Sequence, residues 1–414
     1  MNFCSFKGRY TRDIDNFKLI VPFKVRSHGE FSSFKIPSFY QLNVQKKRRK
    51  RSLDDPEMVH YVVHLNGKRY HAQLWPNHRL VSPNAVFENR RPTVQIQKRK
   101  LRKVNDEKMC HYTGEIKGEE GSRVALSACD GLAGYITVDG RRYFIEPVQE
   151  HVPNLSGQHL HVVYERYPQE DEVQTSRCGT SDNWEEAWKK RFLEKYRQGG
   201  GPERRSTESV HRYLETLVVC DKKFLEHHKN TDYETYVLTI MNMVADFYHD
   251  YTSGNQMDVV VVRIMYLDKE EEEIDLVINP NAEDTLASFC KWQQKINPKD
   301  ISSPNHHDIA VLLTRYDICA DNMSNCGLMG LAYVASACSG NEPCAINEDG
   351  GLVLGIVVAH EMGHVMGCAH DKEGESSCPA QDTDESYFVM APYVHLYTTR
   401  WSTCSRGFIT SLFE

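Results

Sequence analysis

Three histidines near the C-terminal end of this chain are spaced as ligands for a single metal ion. His360 and His364 form H-E-x-x-H, and on an α-helix this spacing places them on one face, about one turn apart. Gly367 can adopt backbone angles that other residues avoid, so the chain can leave the helix there and bring in His370 as a third ligand. Three histidines leave one tetrahedral position open, which is typical of a catalytic zinc site. Glu361 lies beside the first ligand and is placed to act as general base toward a water molecule.

The sequence around these histidines favours a buried metal site over a simpler alternative. A lone H-E-x-x-H also occurs on solvated helices, and buried histidines can be satisfied by backbone carbonyls. Here the residues that lead into the motif, 352–359, are apolar, as a buried helix requires. Downstream, Met390 precedes Ala-Pro and fits the Met-turn that closes the floor of such sites. We therefore predict that Met390 packs beneath the ligands without binding zinc.

Strands alternating with helices are predicted for residues 211–414, the region that must position this motif. Apolar residues at helical spacing indicate an amphipathic helix over 232–251, and four consecutive valines within 257–267 are typical of a buried strand. Residues 330–336 are predicted to form an edge strand against which a substrate peptide lies. Strands and helices alternating ahead of a metal-binding helix predict an α/β domain. The other predicted elements are strands over 213–220 and 308–314 and a helix over 284–295.

A different organisation is predicted for the first part of the chain. Residues 1–45 are extended and loosely patterned, whereas residues 46–166 consist of short strand-like runs separated by turns, which predicts a β-rich domain. Residues 167–210 are polar, charged and interrupted by a Gly-Gly-Gly-Pro run, so we interpret them as a linker. At 414 residues the chain is long enough for two domains with separate cores.

Cysteine usage favours an oxidising compartment. The chain has thirteen cysteines, several of them closely spaced, and this is typical of disulfide bonding. Asn154 and Asn322 begin N-glycosylation sequons, which point the same way. We therefore expect a secreted protein, although the apolar run at residues 19–23 is too short to be typical of a signal peptide. No stretch of the sequence is apolar over the length that a membrane span requires.

The net charge of −7 is mild and favours no particular partner, and nucleic acid is not expected. Residues 46–103 are rich in Lys and Arg, which predicts either a solvated surface or a surface that binds sulfated glycans. The densest basic run ends in Arg-Arg-Lys-Arg at Arg51, a sequence suited to the acidic cleft of a furin-like convertase. A solvated linker and a nuclear-localisation signal are the alternatives, and the second conflicts with the cysteine usage.

With these motifs in place, the chain resembles the ADAMTS metalloproteases, which are secreted zinc endopeptidases of the adamalysin branch of the metzincins. The resemblance covers residues 16–414, which correspond to the family's propeptide and catalytic domain only. Asp371, directly after the third histidine, is the adamalysin-type residue. The implied fold is an α/β metzincin catalytic domain, truncated at its C-terminal end, after a β-rich propeptide. Matching segments include Cys110-His-Tyr-Thr-Gly, Tyr143-Phe-Ile-Glu-Pro, Phe289-Cys-Lys-Trp-Gln, Asn347-Glu-Asp-Gly-Gly-Leu and Trp401-Ser-Thr-Cys-Ser-Arg.

The resemblance also implies a zymogen. Arg-Cys-Gly around Cys178 is similar to the family's cysteine switch, whose thiolate occupies the open zinc position. An ordinary linker cysteine or a disulfide partner is the alternative. Activation by a proprotein convertase is expected at Arg205. Family calcium ligands correspond to Glu215, Asp308 and Asp317, which could otherwise be surface carboxylates.

Four disulfides are expected. The family order implies three of them in the second domain, and we predict one more in the first domain. The three pairs are Cys290–Cys344, Cys319–Cys326 and Cys378–Cys404, and the pair in the first domain is Cys110–Cys129.

The function predicted from these observations is a zinc metalloendopeptidase that hydrolyses extracellular or matrix proteins, with Glu361 as general base. The cofactors expected are Zn²⁺ for catalysis and Ca²⁺ in a structural role. The alternative is a truncated, non-catalytic secreted product that binds matrix or inhibits a full-length relative. An intact zinc motif that includes Glu361 favours the enzyme.

Overall fold

The computed structural model describes residues 17–42, 57–90, 100–103, 108–149, 151–165, 177–180, 210–268, 275–320, 326–337, 343–371, 388–392 and 400–413. The chain divides into two compact units that interleave along the sequence. Unit 1 comprises Met1–His78, Asp106–Pro168 and Glu234–Met243, and unit 2 comprises Arg79–Asn105, Gln169–Tyr233 and Val244–Glu414. The domain boundaries expected after residues 45, 166 and 210 remain predictions.

Unit 1 is built on an antiparallel sheet. Its strands are β1 (Phe17–Ile20), β2 (Phe23–Val25), β3 (Phe31–Ser33), β5 (Val59–Leu65), β6 (Lys68–Pro76), β10 (His111–Ile116), β11 (Arg123–Ser127), β12 (Ala133–Val138), β13 (Arg141–Pro147) and β14 (His161–Tyr164). They lie in the order β1-β14-β13-β12-β11-β10-β6-β5-β2-β3. A separate pair consists of β4 (Tyr40–Gln41) and β9 (Lys108–Met109). The predicted β-rich first part is therefore confirmed.

Two tight hairpins of this sheet follow directly from Asn-Gly and Asp-Gly pairs. Asn66 and Gly67 have φ of 49° and 80°, and Asp139 and Gly140 have φ of 53° and 72°. Positive φ at both central residues is the type I′ geometry, which matches the twist of the flanking strands and favours these residue pairs. The turns fix the register of β5 on β6 and of β12 on β13.

Unit 2 contains a mixed sheet. Its strands are β7 (Val81–Arg90), β8 (Lys100–Lys103), β15 (Arg177–Cys178), β16 (Arg212–Cys220), β17 (Met257–Leu267), β18 (Ile309–Thr314), β19 (Leu328–Ala332) and β20 (Cys344–Glu348). The strand order is β15-β19-β20-β18-β16-β17-β7-β8. Neighbouring strands are parallel except for the antiparallel pairs β19–β20 and β7–β8.

Helices complete the α/β arrangement. The described residues contain α1 (Lys222–His227), α2 (Tyr233–His249), α3 (Ala282–Ile296), α4 (Leu354–Val365), α5 (Thr403–Leu412) and a short 3-10 turn at Tyr251–Ser253. Helix α3 begins after Asn281, whose side chain accepts hydrogen bonds from the backbone N–H groups of Glu283 and Asp284. Its apolar face packs on the sheet in a buried cluster that includes Leu217, Val219, Met265, Phe289, Trp292, Leu312 and Ile346. The predicted α/β class is confirmed.

Strand β7 lies in the sheet of unit 2 although it falls between two segments of unit 1 in sequence. It pairs with β17 at Val81 and again from Val86 onward, so residues 82–85 interrupt the regular register. The interruption contains Ser-Pro-Asn, and proline has no N–H to donate to a ladder. Sequence periodicity did not identify this strand because these turn-forming residues divide it.

Among the described residues, no helix combines the length and the apolar character that crossing a membrane requires.

Candidate metal centre

Helix α4 positions the first two histidines and the glutamate between them. All of its residues are buried, including His360, Glu361 and His364. An apolar sequence on every face suits such a helix because no side of it meets water. The helix ends at Val365, and Gly367 follows with φ of +94°. This left-handed backbone is disfavoured for residues with a Cβ, and here it lets the chain turn back.

The three imidazoles converge on one point. The Nε2 atom of His370 lies 3.3 Å from Nε2 of His360 and 3.1 Å from Nε2 of His364. The other ring nitrogens of the two helical histidines face backbone oxygens, with Nδ1 of His360 2.7 Å from the carbonyl of Val389 and Nδ1 of His364 2.8 Å from that of Cys368. An Nδ1–H that donates to a carbonyl leaves the Nε2 lone pair free, which is the usual orientation of a metal-binding histidine.

Burial gives these groups the protonation states that a metal site needs. It is the main cause that lowers the pKa of His360 to about 3 and holds the pKa of His364 well below its ordinary value, and His370 adds to both shifts. The neutral imidazole is the form that binds a metal ion. Burial also raises the pKa of Glu361 to about 8, against the effect of a hydrogen bond with Cys178.

The turn that contains Met390 lies against the metal-binding helix. Met390 is fully buried, and a Cβ added to Gly363 would come within 2.5 Å of its Sδ atom, so the two residues are in close contact. The same turn supplies the Val389 carbonyl to His360 and accepts a hydrogen bond from the backbone N–H of Asp371 through the Met390 carbonyl. The carboxylate of Asp371 accepts a hydrogen bond from the hydroxyl of Ser402 at 2.6 Å.

Cys178 reaches the same point from β15. Its Sγ atom lies 3.4 Å from Nε2 of His364, and β15 pairs in parallel with β19. Cys178, His360, His364 and His370 have potential ligand atoms that all lie within 4.8 Å of one another, so together they could hold one metal ion. Burial raises the pKa of the Cys178 thiol well above its ordinary value, and the charge of Glu361 adds to this shift.

Glu361 is hydrogen-bonded to Cys178 and packs against β19. A Cβ on Gly330 would come within 2.6 Å of the Glu361 side chain, so only glycine leaves room for the carboxylate at this position of the strand. The Oε2 atom of Glu361 is buried and has no hydrogen-bond partner within the described part of the chain. The sequence carried one signal for this contact, a glycine inside a predicted edge strand, which often marks a close approach of another group.

The three residues expected to bind calcium are not brought together as one group. Asp308 accepts a hydrogen bond from the backbone N–H of Glu215 at 2.9 Å, and burial together with Asp308 raises the pKa of Glu215. Asp317 instead lies near Glu348. Burial is the main cause that raises the pKa of Glu348 to about 7, and the charge of Asp317 adds to it. Glu348 was not identified from the sequence because its burial depends on the position of β20 in the sheet.

The cysteines and cleavage sites divide between described and undescribed residues. Disulfides join Cys110 to Cys129, Cys290 to Cys344 and Cys319 to Cys326, as the sequence analysis expected. Cys404 is disulfide-bonded, while its expected partner Cys378 lies outside the described residues. Arg51 and Arg205 also lie outside them. The free cysteines of the described chain are Cys178, Cys220 and Cys368.

Similarity to known proteins agrees with this geometry. The profile of the Reprolysin (M12B) family zinc metalloprotease matches residues 212–413, and that of the Reprolysin family propeptide matches residues 18–117. The mixed sheet, the buried helix and the three-histidine site have the form expected of a metzincin-type zinc-protease domain. The chain belongs to the reprolysin (M12B) family, and its relatives are ADAMTS proteins. The resemblance found in the sequence is thereby confirmed.

Individual relatives match nearly the whole chain. Human "A disintegrin and metalloproteinase with thrombospondin motifs 7" is 36% identical over 98% of this chain and 24% of its own length. The mouse protein "A disintegrin and metalloproteinase with thrombospondin motifs 12" is 33% identical over 98% of this chain and 25% of its own length. The human protein "A disintegrin and metalloproteinase with thrombospondin motifs 6" is 33% identical over 97% of this chain and 38% of its own length. Metalloproteinase-II from Bacteroides fragilis has a TM-score of 0.42 at 9% identity, covering 85% of this chain and 90% of that chain. The chain thus spans about a quarter of the length of the first of these relatives.

The left-handed backbone at Gly367 generates a prediction. Gly367→Ala should lower the free energy of unfolding by about 1–2 kcal/mol, because a Cβ is disfavoured at this φ. Gly367→Asn is the matched control, since asparagine tolerates positive φ better, and it should lose less. Thermal unfolding of the two variants beside the wild type measures the difference. Equal losses would show that the backbone conformation is not the constraint at this position.

Proposed function

We propose that this chain is the zymogen of a zinc-dependent endopeptidase in which His360, His364 and His370 hold the metal and Glu361 is the general base. The observation that carries the proposal is the convergence of three Nε2 atoms with the Sγ atom of Cys178, to which Glu361 is hydrogen-bonded. Two of the imidazoles are oriented by carbonyl groups, and all the donors suit zinc, which prefers nitrogen and sulfur ligands. The orphaned Oε2 atom of Glu361 fits a site whose remaining partner is a metal-bound group or a substrate.

When bound, a zinc ion would polarise the scissile carbonyl and lower the pKa of the attacking water. Glu361 would then accept the water's proton at a carboxylate oxygen and deliver it to the leaving amine. Its raised pKa suits both halves of this transfer, because the carboxyl holds the proton between the two steps. Strand β19 borders the site, and its edge would hold an extended substrate through backbone hydrogen bonds.

Latency in this proposal comes from Cys178. Its sulfur lies with the three histidines, where it would occupy the position that a water needs. The backbone holds it there, because the N–H of Gly179 donates to the carbonyl of Gly330 at 2.9 Å and the N–H of Cys178 donates to that of Pro392 at 3.3 Å. A zinc ion would stabilise the thiolate form, which burial alone disfavours.

The proposal extends to the processing of the chain and to where it acts. The β-rich residues 46–166 are the propeptide, residues 167–210 are the linker to the catalytic domain at 211–414, and a proprotein convertase cuts at Arg51 and Arg205. Secretion into the extracellular matrix, matrix-protein substrates and sulfated-glycan binding by the basic segment belong to the same proposal. The support is the relationship to ADAMTS proteins together with the disulfides of the described chain.

Calcium binding is proposed at two places rather than one. Glu215 and Asp308 are adjacent and offer hard oxygen ligands, and Asp317 has a second carboxylate, Glu348, nearby. A divalent ion would offset the burial and the like-charge repulsion that together raise the pKa values of Glu215 and Glu348, and it would stabilise the ends of their strands.

The assigned role of Glu361 generates a prediction. Glu361→Gln should retain zinc and fold but lose peptide cleavage by about 10²–10⁴-fold, because an amide cannot accept the proton. Glu226→Gln makes the same change at an exposed helix position and should keep wild-type activity. Both are compared after cleavage at Arg205 with a quenched fluorescent peptide, and bound zinc is measured by elemental analysis. Cleavage by Glu361→Gln within a few-fold of the wild type would remove Glu361 from the mechanism.

The position of Cys178 generates a second prediction. In the uncut chain, Cys178→Ala should raise peptidase activity, and an organic mercurial should activate the wild type by capturing the thiol. Cys220→Ala removes another buried free thiol and should leave latency unchanged. If the uncut wild type and the uncut Cys178→Ala variant cleave at the same rate, the thiol is not the block, and coverage of the cleft by the prosegment would be.

A further inference from the structure

The outer edge of β17 is covered by a strand that belongs to the propeptide. Strand β7 lies within the propeptide match at residues 18–117, and β17 lies within the catalytic match at residues 212–413. In the sheet order, β7 follows β17 at one end, while β15 with Cys178 pairs with β19 at the other. The propeptide and linker therefore supply strands to both edges of the five strands that the catalytic region contributes.

The contact between β7 and β17 is a regular parallel ladder over its second half. Val86, Phe87 and Glu88 pair with Arg263, Ile264 and Met265 in register. At the start of the strand, the backbone N–H of Val261 donates to the carbonyl of Leu80 at 2.8 Å. The side chains of Ala85, Val86 and Phe87 are buried. An edge strand pairs readily with any suitable chain, so β17 needs such a cover.

A buried ion pair fixes this ladder. The carboxylate of Glu88 accepts a hydrogen bond from Nη2 of Arg263 at 2.5 Å, and the side chains are 0% and 12% exposed. A charge buried this deeply is tolerated only with a partner, so loss of the Glu88 carboxylate leaves Arg263 without this ion pair. The pair therefore selects a strand that carries a carboxylate at this position.

A second ionic contact lies at the start of β17. Asp258 is largely buried and accepts hydrogen bonds from Nη1 of Arg79 at 2.6 Å and Nε2 of His211 at 2.5 Å, and Nδ1 of His249 lies 3.1 Å from its other oxygen. Arg79 precedes β7 directly. Residues 79–90 are thus tied to β17 by one ion pair near each end and by backbone hydrogen bonds between them.

We propose that the outer edge of β17 is a binding site for an extended segment that carries a carboxylate opposite Arg263, that residues 79–90 occupy it, and that they keep the prosegment bound after the chain is cut at Arg205. The prosegment here means the part of the chain up to Arg205. A cut at Arg205 breaks none of the contacts described, because both partners remain intact on their own fragments. This retention does not depend on Cys178, which lies at the opposite edge of the sheet. The proposal rests on the proposed function only in taking the cut at Arg205 as the activating one.

The test measures association of the two fragments after a convertase cut of the full chain at Arg205. Size-exclusion chromatography under native conditions should show the fragments eluting together, both for the wild type and for Cys178→Ala. Glu88→Gln keeps the shape of the side chain but leaves Arg263 unpaired, and it should speed prosegment dissociation by at least about 30-fold. Glu30→Gln is the matched control, since Glu30 is exposed and its ion pairs within the described part of the chain are with Arg26 and His28 of its own hairpin.

A double variant distinguishes loss of the ion pair from misfolding of the chain. Glu88→Leu combined with Arg263→Leu removes both charges, so it should retain the prosegment within about tenfold of the wild type. Separation of the wild-type fragments on cutting would overturn the proposal, as would release caused by Cys178→Ala alone. Equal effects of Glu88→Gln and Glu30→Gln would also overturn it. Because the readout is co-elution, an inactive enzyme would contradict the proposed function without affecting this result.

Discussion

The structure depends on bringing three imidazoles to one point away from bulk water. The Nε2 atom of His370 lies within 3.3 Å of those of His360 and His364, and charged rings at this distance would repel, so the site requires burial, which favours the unprotonated forms of His360 and His364. Burial in turn requires a helix without a solvated face, and every residue of α4 is buried. The carbonyls of Val389 and Cys368 then select the ring orientation. The folded chain thus holds three donor atoms together before a metal ion binds, and metal binding would offset the free-energy cost of holding them there.

The same constraint explains how one sheet can serve both catalysis and latency. A site with three fixed donors accepts a fourth ligand, and Cys178 lies where that ligand belongs. Its strand β15 pairs with the cleft strand β19, so the blocking segment uses the edge on which substrate binding is proposed. At the far edge, β7 covers β17. Both edges of the catalytic strands are therefore paired, and an unpaired edge is a hazard for association with other chains.

Sequence reasoning succeeded where the determinants are local. H-E-x-x-H needs only helical spacing, Gly367 needs only its lack of a Cβ, and β17 is visible as a run of valines. It failed where long-range contacts decide. Strand β7 is interrupted by Ser-Pro-Asn and is completed by pairing with β17, more than 150 residues further along the chain. Calcium binding by Glu215, Asp308 and Asp317 stays a prediction, and only the order of strands determines that Asp317 lies beside Glu348 rather than beside Glu215.

X-ray absorption spectroscopy at the zinc edge tests the central claim most directly, because it counts the atoms around the metal. The uncut chain loaded with one zinc ion should show three nitrogen ligands at about 2.0–2.1 Å and one sulfur ligand at about 2.3 Å. Cys178→Ala should lose the sulfur and keep the nitrogens. A first shell of the uncut wild type made only of nitrogen and oxygen would contradict the claim that Cys178 and the three histidines share one metal ion.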